Sequence, residues 1–422
     1  MKNKYINKVV NLGCRLNSYE SSIIEQVLED NKSENITVIN TCSVTNQALK
    51  KSVQAVKRSA KLNPKNKIFV TGCASEINPV IFKNTKLVHR IIPNQEKTNK
   101  DFYKTCQMPK NFENLSIKFN FPQPRKKLSS HTRALLQIQQ GCDHSCTFCV
   151  IPSGRGRSVS LPLGGIMNSI NKYLSWDYKE IVLTGVDITS YGNDLPGKPK
   201  LGNVIKRIFK LQPNLKRLRL SSLDPAEIDE DLLSLIKFDN RILPHIHFSA
   251  QSGDDLILKR MKRRHNNSQL LELCENIKTA RPSLTFGADL IVGFPTETHK
   301  NFTNTSQLVK SGFFSNIHIF PYSPMKKTPA SKMPQVCSKT ILERTKNLRE
   351  LANFYQNKLM QNKVNEITKI LFENEKLSYT NDYFKVKLQK VKNKITFEEL
   401  RGKIIEIKLS GIKENIFKGE II

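Results

Sequence analysis

The chain has 422 residues, 68 lysines and arginines against 37 aspartates and glutamates, and a formal net charge of +31. That length allows two or three domains with cores of their own, and the basic balance suggests a polyanionic partner such as nucleic acid. No apolar run approaches the ~18 residues of a membrane span, and Val9-Val10 is too short for a signal-peptide core, so a cytoplasmic protein with no membrane contact is expected. Nine cysteines without an export signal point to reduced thiols and metal ligation rather than disulfides.

The N-terminal region repeats one pattern three times: a β-rich run, a cysteine, then a helix-like segment. Predicted strands 8–12, 36–40 and 68–71 lead to Cys14, Cys42 and Cys73, spaced 28 and 31 residues apart, close to the ~30 of a βαβ unit. Helices are expected over 18–29 and 44–62, with Ser43 or Thr45 as the second N-cap and Pro64 after its end. This describes a doubly wound parallel α/β domain over residues 1–125, whose ligand sites gather at the carboxyl ends of the strands. Three cysteines in equivalent turns converge there and could hold a metal cluster. The alternative is three separate core thiols, since free cysteine is often buried.

A first strand of the central region, 133–139, is followed at once by Cys142, Cys146 and Cys149 in a CxxxCxxC triplet. Thiolates so spaced can each take one iron of a 4Fe-4S cube and leave the fourth iron open for a chelating ligand. A zinc site would usually show a second CxxC or Cys/His pair downstream, and none follows. Further strands are expected at 180–184, 216–221, 245–249, 285–292 and 316–320, alternating with amphipathic helices. Six such units over 128–355 predict an open (β/α)6 barrel, with functional groups at the C-terminal strand ends. Thr184 with Gly185, Ser249 with Gln251, and Asp289 through Gly293 stand at such ends and are candidate nucleoside contacts. His245, His247 and His318 read as strand residues, because no histidine cluster repeats their spacing. A long basic helix over 338–363 leads to a strand-rich tail, 365–422, with turns at Gly402, Gly411 and Gly419. A small β-barrel is expected there, with solvent-facing lysines able to hold RNA backbone.

The triplet, with the aromatic Phe148 before its third cysteine, resembles the signature of radical-SAM enzymes. Two three-cysteine sites and a β-rich tail look like the methylthiotransferases of that superfamily. The likeness extends along the chain through Asn11-Leu-Gly-Cys-Arg-Leu-Asn-Ser-Tyr-Glu-Ser21, Asn40-Thr-Cys-Ser-Val-Thr-Asn46, Leu183-Thr-Gly-Val-Asp187, Ser249-Ala-Gln-Ser-Gly-Asp-Asp255 and Leu258-Lys-Arg-Met-Lys-Arg-Arg264. These segments look most like the branch acting on threonylcarbamoyladenosine in tRNA. Val159 stands where relatives usually carry arginine, and Met325-Lys-Lys-Thr-Pro-Ala330 replaces a common Arg-Pro-Gly-Thr-Pro-Ala.

The resemblance implies two [4Fe-4S] clusters, one on Cys142, Cys146 and Cys149 and an auxiliary one on Cys14, Cys42 and Cys73. It implies S-adenosyl-L-methionine at the open iron of the first, with Phe148 close to its adenine, and a TRAM domain at the C-terminus. The expected reaction is radical methylthiolation of carbon 2 of the modified adenine next to the anticodon. The partners would be a tRNA anticodon stem-loop and an electron donor such as flavodoxin or ferredoxin. Competing readings are a methylthiotransferase for isopentenyladenosine or for a ribosomal-protein aspartate, and a non-catalytic iron-sulfur RNA-binding protein. Cys106, Cys274 and Cys337 match no ligand position and read as ordinary thiols.

Overall fold

Strand-forming runs of Ile, Val and Thr make the first sheet: β1 Lys8–Asn11, β2 Ile36–Thr41, β3 Lys67–Gly72 and the short β4 Arg90–Ile91, all parallel and in the unbroken order β1-β2-β3-β4. The computed structural model describes residues 7–31, 35–104, 119–128, 131–374, 376–389 and 396–422; Cys106 lies outside them. Every residue of β2 is buried, because the sheet is covered on both faces. Val38 and Phe69 pack against Tyr19, Ile23 and Ile24 of helix α1, Arg15–Asp30. Ile39, Ile68 and Val70, one residue out of phase, pack against Val56 of helix α2, Asn46–Leu62. Alternation along a strand thus sends successive side chains to two different helices. Thr45 is the N-cap of α2, its side chain accepting the Ala48 amide.

After this sheet a second strand system follows, beginning at Ala134. Its strands are β5 Ala134–Gln137, β6 Gln139–Gln140, β7 Val159–Ser160, β8 Ile181–Thr184, β9 Leu218–Leu220, β10 His245–Gln251, β11 Thr285–Val292 and β12 Phe314–Pro321. Parallel sheets β5-β8-β9 and β10-β11-β12 are joined by bridges Leu218 to Ile242 and Leu223 to Phe248, giving six strands of an open barrel. The predicted first strand ends earlier than expected. After Ile138 the chain leaves the barrel, and Gln139–Gln140 pairs antiparallel with Val159–Ser160. Val159 therefore belongs to a short ribbon that shapes the cysteine loop.

Helix α1 also packs across the inner face of the barrel, where Leu135 and Val182 join its apolar cluster, and Tyr19 donates from its hydroxyl to the Pro122 carbonyl at 2.6 Å. The long helix Ser338–Gln361 leads to a closed five-stranded barrel made of β13 Ile367–Leu371, β14 Ser378–Thr380, β15 Lys385–Leu388, β16 Ile404–Lys413 and β17 Ile416–Ile421. Ile370, Val386, Ile407 and Phe417 fill it, while Lys369, Lys385, Lys387, Lys408 and Lys418 face solvent.

The C-terminal barrel docks beneath the N-terminal ends of the central strands, the end opposite the cysteine triplet. Arg133 bonds Glu373 at 2.7 Å, Arg217 bonds Asn381 at 2.7 Å, and Tyr383 stacks on His245 with ring centroids 4.9 Å apart. Glu180, fully buried, accepts from Arg133, Arg217 and Arg219 at once. Burial opposes its ionisation, yet Arg219, Arg133 and Arg217 together hold it well below the usual carboxylate range. A depressed carboxylate stabilises the fold above its unfolded pKa and loses that contribution as pH falls. Glu180→Gln leaves three arginines underneutralised, so we expect a loss of about 3–5 kcal/mol in denaturant titration at neutral pH, shrinking under acid.

Candidate functional site

The turns after β1, β2 and β3 bring Cys14, Cys42 and Cys73 together. Gly13, at φ +108°, lets this happen: a Cβ there would lie 2.7 Å from Cys42 Cβ and 2.8 Å from its Sγ. Asn17 ties the first two turns, donating to the Leu12 carbonyl at 2.7 Å and the Thr41 carbonyl at 3.0 Å. Thr41 ties the second to the third, donating to the Thr71 carbonyl and accepting from the Ser75 amide. Cys14 is exposed, whereas Cys42 and Cys73 are buried. Burial pushes the Cys42 thiol up to about 11.

The second trio sits in the loop after β6. Gly141, at φ +72°, passes so close to Arg157 that a Cβ would overlap its carbonyl, and the Cys142 amide donates to Gly156 at 3.1 Å. Backbone amides of His144 and Ile151 donate to the Cys142 and Cys149 sulfurs, each at 3.4 Å, and Arg263 reaches Cys146 Sγ at 3.6 Å. Burial raises the thiols of Cys142 to about 12 and Cys149 to about 11. These donors favour a thiolate once a metal displaces the proton. His144 is bonded to Asp187 at 2.7 Å and approached by Glu227 at 3.4 Å. The Asp187 bond first, then Glu227, lifts its pKa to about 9, so a positive charge stands beside Cys142 at neutral pH.

The two trios face each other. Helix Ile151–Arg155 packs on helix Cys73–Ile77, a Cβ on Gly154 would lie 3.5 Å from Cys73 Cβ, and Asn94 reaches both Cys73 Sγ and the Gly154 carbonyl. Beside this contact Arg155 makes a two-pronged pair with Glu20 at 2.9 and 3.0 Å and bonds Asn17 at 2.6 Å. Lys97 pairs with the same Glu20, and all three side chains are at most 3% exposed. Burial opposes both charges, but Arg155 and Lys97 hold Glu20 below its usual range. Burial, and then the neighbouring Arg155, push Lys97 down despite Glu20, since one carboxylate is shared by two cations; the surplus positive charge faces Cys73.

Each trio supplies three sulfurs, which suits three irons of a cube. Buried polar atoms without partners flank both: Asn40 Oδ1, Ser43 Oγ and Asn94 Oδ1 by the first, Gln137 Oε1 and Arg263 Nε by the second. Native interiors rarely leave such atoms unpaired, so the surroundings fit a bound polar group.

The other predicted contacts separate into groups. Phe148 packs edge-on against Phe294. Thr184 is buried at the end of β8, and Ser249 and Gln251 stand at the end of β10, where Arg263 donates to Ser249. Gly185 and Gly293 make room for the protein itself: Cβ atoms there would meet Gln139 at 2.9 Å and Ile341 at 2.4 Å. Asp289 lies between His247 at 3.0 Å and His318 at 2.9 Å. His245, His247 and His318 are strand residues, as read from the sequence, and pairing of β10, β11 and β12 brings His247 and His318 together around Asp289 on the inner face. Cys274 is buried in the core and Cys337 is exposed, so neither joins a trio. Asn17, Glu20, Lys97, Arg155, Arg263 and His144 carry much of the site; His144 stands inside the triplet and Asn17, Glu20 and Arg263 in segments that carry the resemblance, but none of the six has a role that reads from the sequence.

A six-stranded open barrel with a three-cysteine loop at its C-terminal rim is the architecture of a radical-SAM enzyme. Residues 136–309 match the radical SAM superfamily and residues 7–93 match the family described as uncharacterized protein family UPF0004. The threonylcarbamoyladenosine tRNA methylthiotransferase MtaB of Rickettsia prowazekii is 42% identical over 99% of this chain and 98% of its own. The tRNA-2-methylthio-N(6)-dimethylallyladenosine synthase of Ehrlichia canis is 29% identical over 90% of each. Among solved structures, the radical S-adenosylmethionine methyltransferase TsrM of Kitasatospora setae shares the fold, with a TM-score of 0.56 and 12% identity over 78% of this chain and 77% of that one. The chain belongs to the radical-SAM methylthiotransferase family. No helix among the described residues is long and apolar enough to cross a membrane.

Two outcomes follow from the geometry. Gly13→Ala is expected to lower reconstituted iron from about eight to about four per chain, measured by iron and sulfide analysis, since its Cβ occupies the approach to Cys42. Glu20→Gln strands two buried cations, and its unfolding midpoint should fall by the equivalent of about 3–5 kcal/mol; unchanged denaturation curves would contradict the shared-carboxylate role.

Proposed function

We propose that this protein methylthiolates carbon 2 of N6-threonylcarbamoyladenosine next to the anticodon of tRNA, in the cytoplasm, with reduced flavodoxin or ferredoxin as electron donor. The observation that carries the reading is the pair of cysteine trios brought face to face by Cys73, Asn94 and Gly154. A relative named for this substrate, 42% identical along the whole chain, supports it. We assign Cys142, Cys146 and Cys149 to the cluster that binds S-adenosyl-L-methionine, and Cys14, Cys42 and Cys73 to the auxiliary cluster. When bound, these groups supply the electron, the hydrogen-abstracting radical and the methylthio group.

The protein's own side chains hold and shield that chemistry. Arg263 and the backbone amides of His144 and Ile151 donate toward the sulfurs on one side, and the surplus cation of the Glu20 triad lies on the other. Phe148, Thr184, Gly185, Ser249, Gln251, Asp289 and Gly293 form the region assigned to the cofactor, with Phe148, Ser249 and Gln251 the residues best placed to touch it. Helix α1 packs across part of the inner face of the barrel. Exposed lysines on the C-terminal barrel suit the RNA backbone.

The test is anaerobic reconstitution, followed by assay of deoxyadenosine and of methylthio nucleosides by mass spectrometry on threonylcarbamoyladenosine-containing tRNA. Cys146→Ala should abolish deoxyadenosine, whereas Cys42→Ala should keep cofactor cleavage and lose methylthiolation. Methylthio product on isopentenyladenosine tRNA alone would reassign the substrate.

A further inference from the structure

Inside the barrel, below the strand ends, lies a cavity of about 280 Å³ whose walls come from α1, the central strands and the C-terminal barrel. None of the residues assigned above to clusters or cofactor lines it. Leu135, Val182 and Arg219 stand in register on its wall, and Gln137 and Thr184 follow two residues further along β5 and β8. That separation is about 7 Å at the rise of a strand. At the rim, Arg15 directly follows Cys14 and donates to the Tyr383 hydroxyl at 3.1 Å.

The cavity carries an uncompensated charge. Arg133, Arg217 and Arg219 share two carboxylates, Glu180 and Glu373, and Arg15 adds a fourth cation. Arg219 is only 2% exposed, yet its Nη1 has no partner, and Arg133 Nη2 has none either. Buried guanidinium N–H groups left unpaired are costly, so such an arrangement expects an anion with oxygens in a fork. Tyr379 and Tyr383 stack 4.7 Å apart with Arg219 4.9 Å from the Tyr383 ring, which gives the cavity a flat wall.

We propose that this cavity seats the carboxylate of the substrate's threonylcarbamoyl group, held by the free N–H groups of Arg219 and Arg133 and closed at the rim by Arg15. The assignment rests on the substrate reading above. Seating it there requires the N6 substituent of an adenine at the cluster sites to point down the barrel; an extended threonylcarbamoyl chain reaches roughly 5 Å, and the arginine side chains bridge the rest of the ~7 Å between the two layers. An isoprenoid substituent would leave the guanidinium groups buried and unpaired, so the same cavity selects against it. A phosphate of the RNA backbone has the same chemistry, and the experiment separates the two.

Binding of anticodon stem-loops to the reconstituted holoenzyme is compared for threonylcarbamoyladenosine and its carboxyl methyl ester. The wild type should prefer the acid by about tenfold or more, the loss expected for a charged hydrogen bond. Arg15→Gln and Arg219→Lys should weaken the acid and not the ester, closing most of that gap. Arg15 is exposed, so its variant is not expected to fail in folding. Equal binding of acid and ester by the wild type overturns the assignment, as does Arg15→Gln weakening both by one factor, the signature of a phosphate contact. If the wild type still methylthiolates the acid in either case, only the cavity is misassigned; no methylthio product removes the substrate reading and this one together.

Discussion

Glu20 is one carboxylate shared by two buried cations, and the distance between the two cysteine trios depends on it. Arg155 arrives from the end of the triplet loop, Lys97 from the segment after β4, and Glu20 from α1, which begins just after Cys14. An apolar contact between these segments would tolerate sliding by an ångström at little expense. A desolvated ion pair does not, because any displacement strands a charge in a low-dielectric interior. The triad therefore sets register more than stability, and it does so beside the sulfur atoms whose spacing matters.

A similar device works at the far end of the barrel. Glu180 gathers three arginines under the N-terminal strand ends, and Glu373 of the C-terminal barrel takes up part of the excess. Cysteines thus occupy one rim, the C-terminal barrel the other, and α1 lies along the inner face between them. The interior is enclosed by parts of the chain far apart in sequence, with arginines serving both as fasteners and as lining.

Much of this was readable before any coordinates. The three βα units, the six barrel strands and the closed tail follow from alternation and turn residues, and β11 spans Thr285–Val292 as expected. The trios were visible because cysteine is rare and its spacing is specific. The triad was not, since Glu20 and Arg155 are 135 residues apart and look like ordinary surface charges. Periodicity also missed the break at Ile138, because Gln139 and Gln140 continue a plausible strand and only their pairing with β7 diverts them. His247 and His318 sit 71 positions apart on the two strands that flank β11, and residues brought together across a sheet share no local signal.

The shared core of α1 and the barrel also bears on how the chain is made. Leu135 and Val182, which complete the packing of Leu16, Tyr19 and Ile23, leave the ribosome more than a hundred residues after them. At typical synthesis rates that is a wait on the order of ten seconds with apolar surface uncovered. The segment holding Cys14 is therefore synthesised well before the wall that fixes it, so iron loaded on the nascent chain at that stage would meet a site whose second wall does not yet exist.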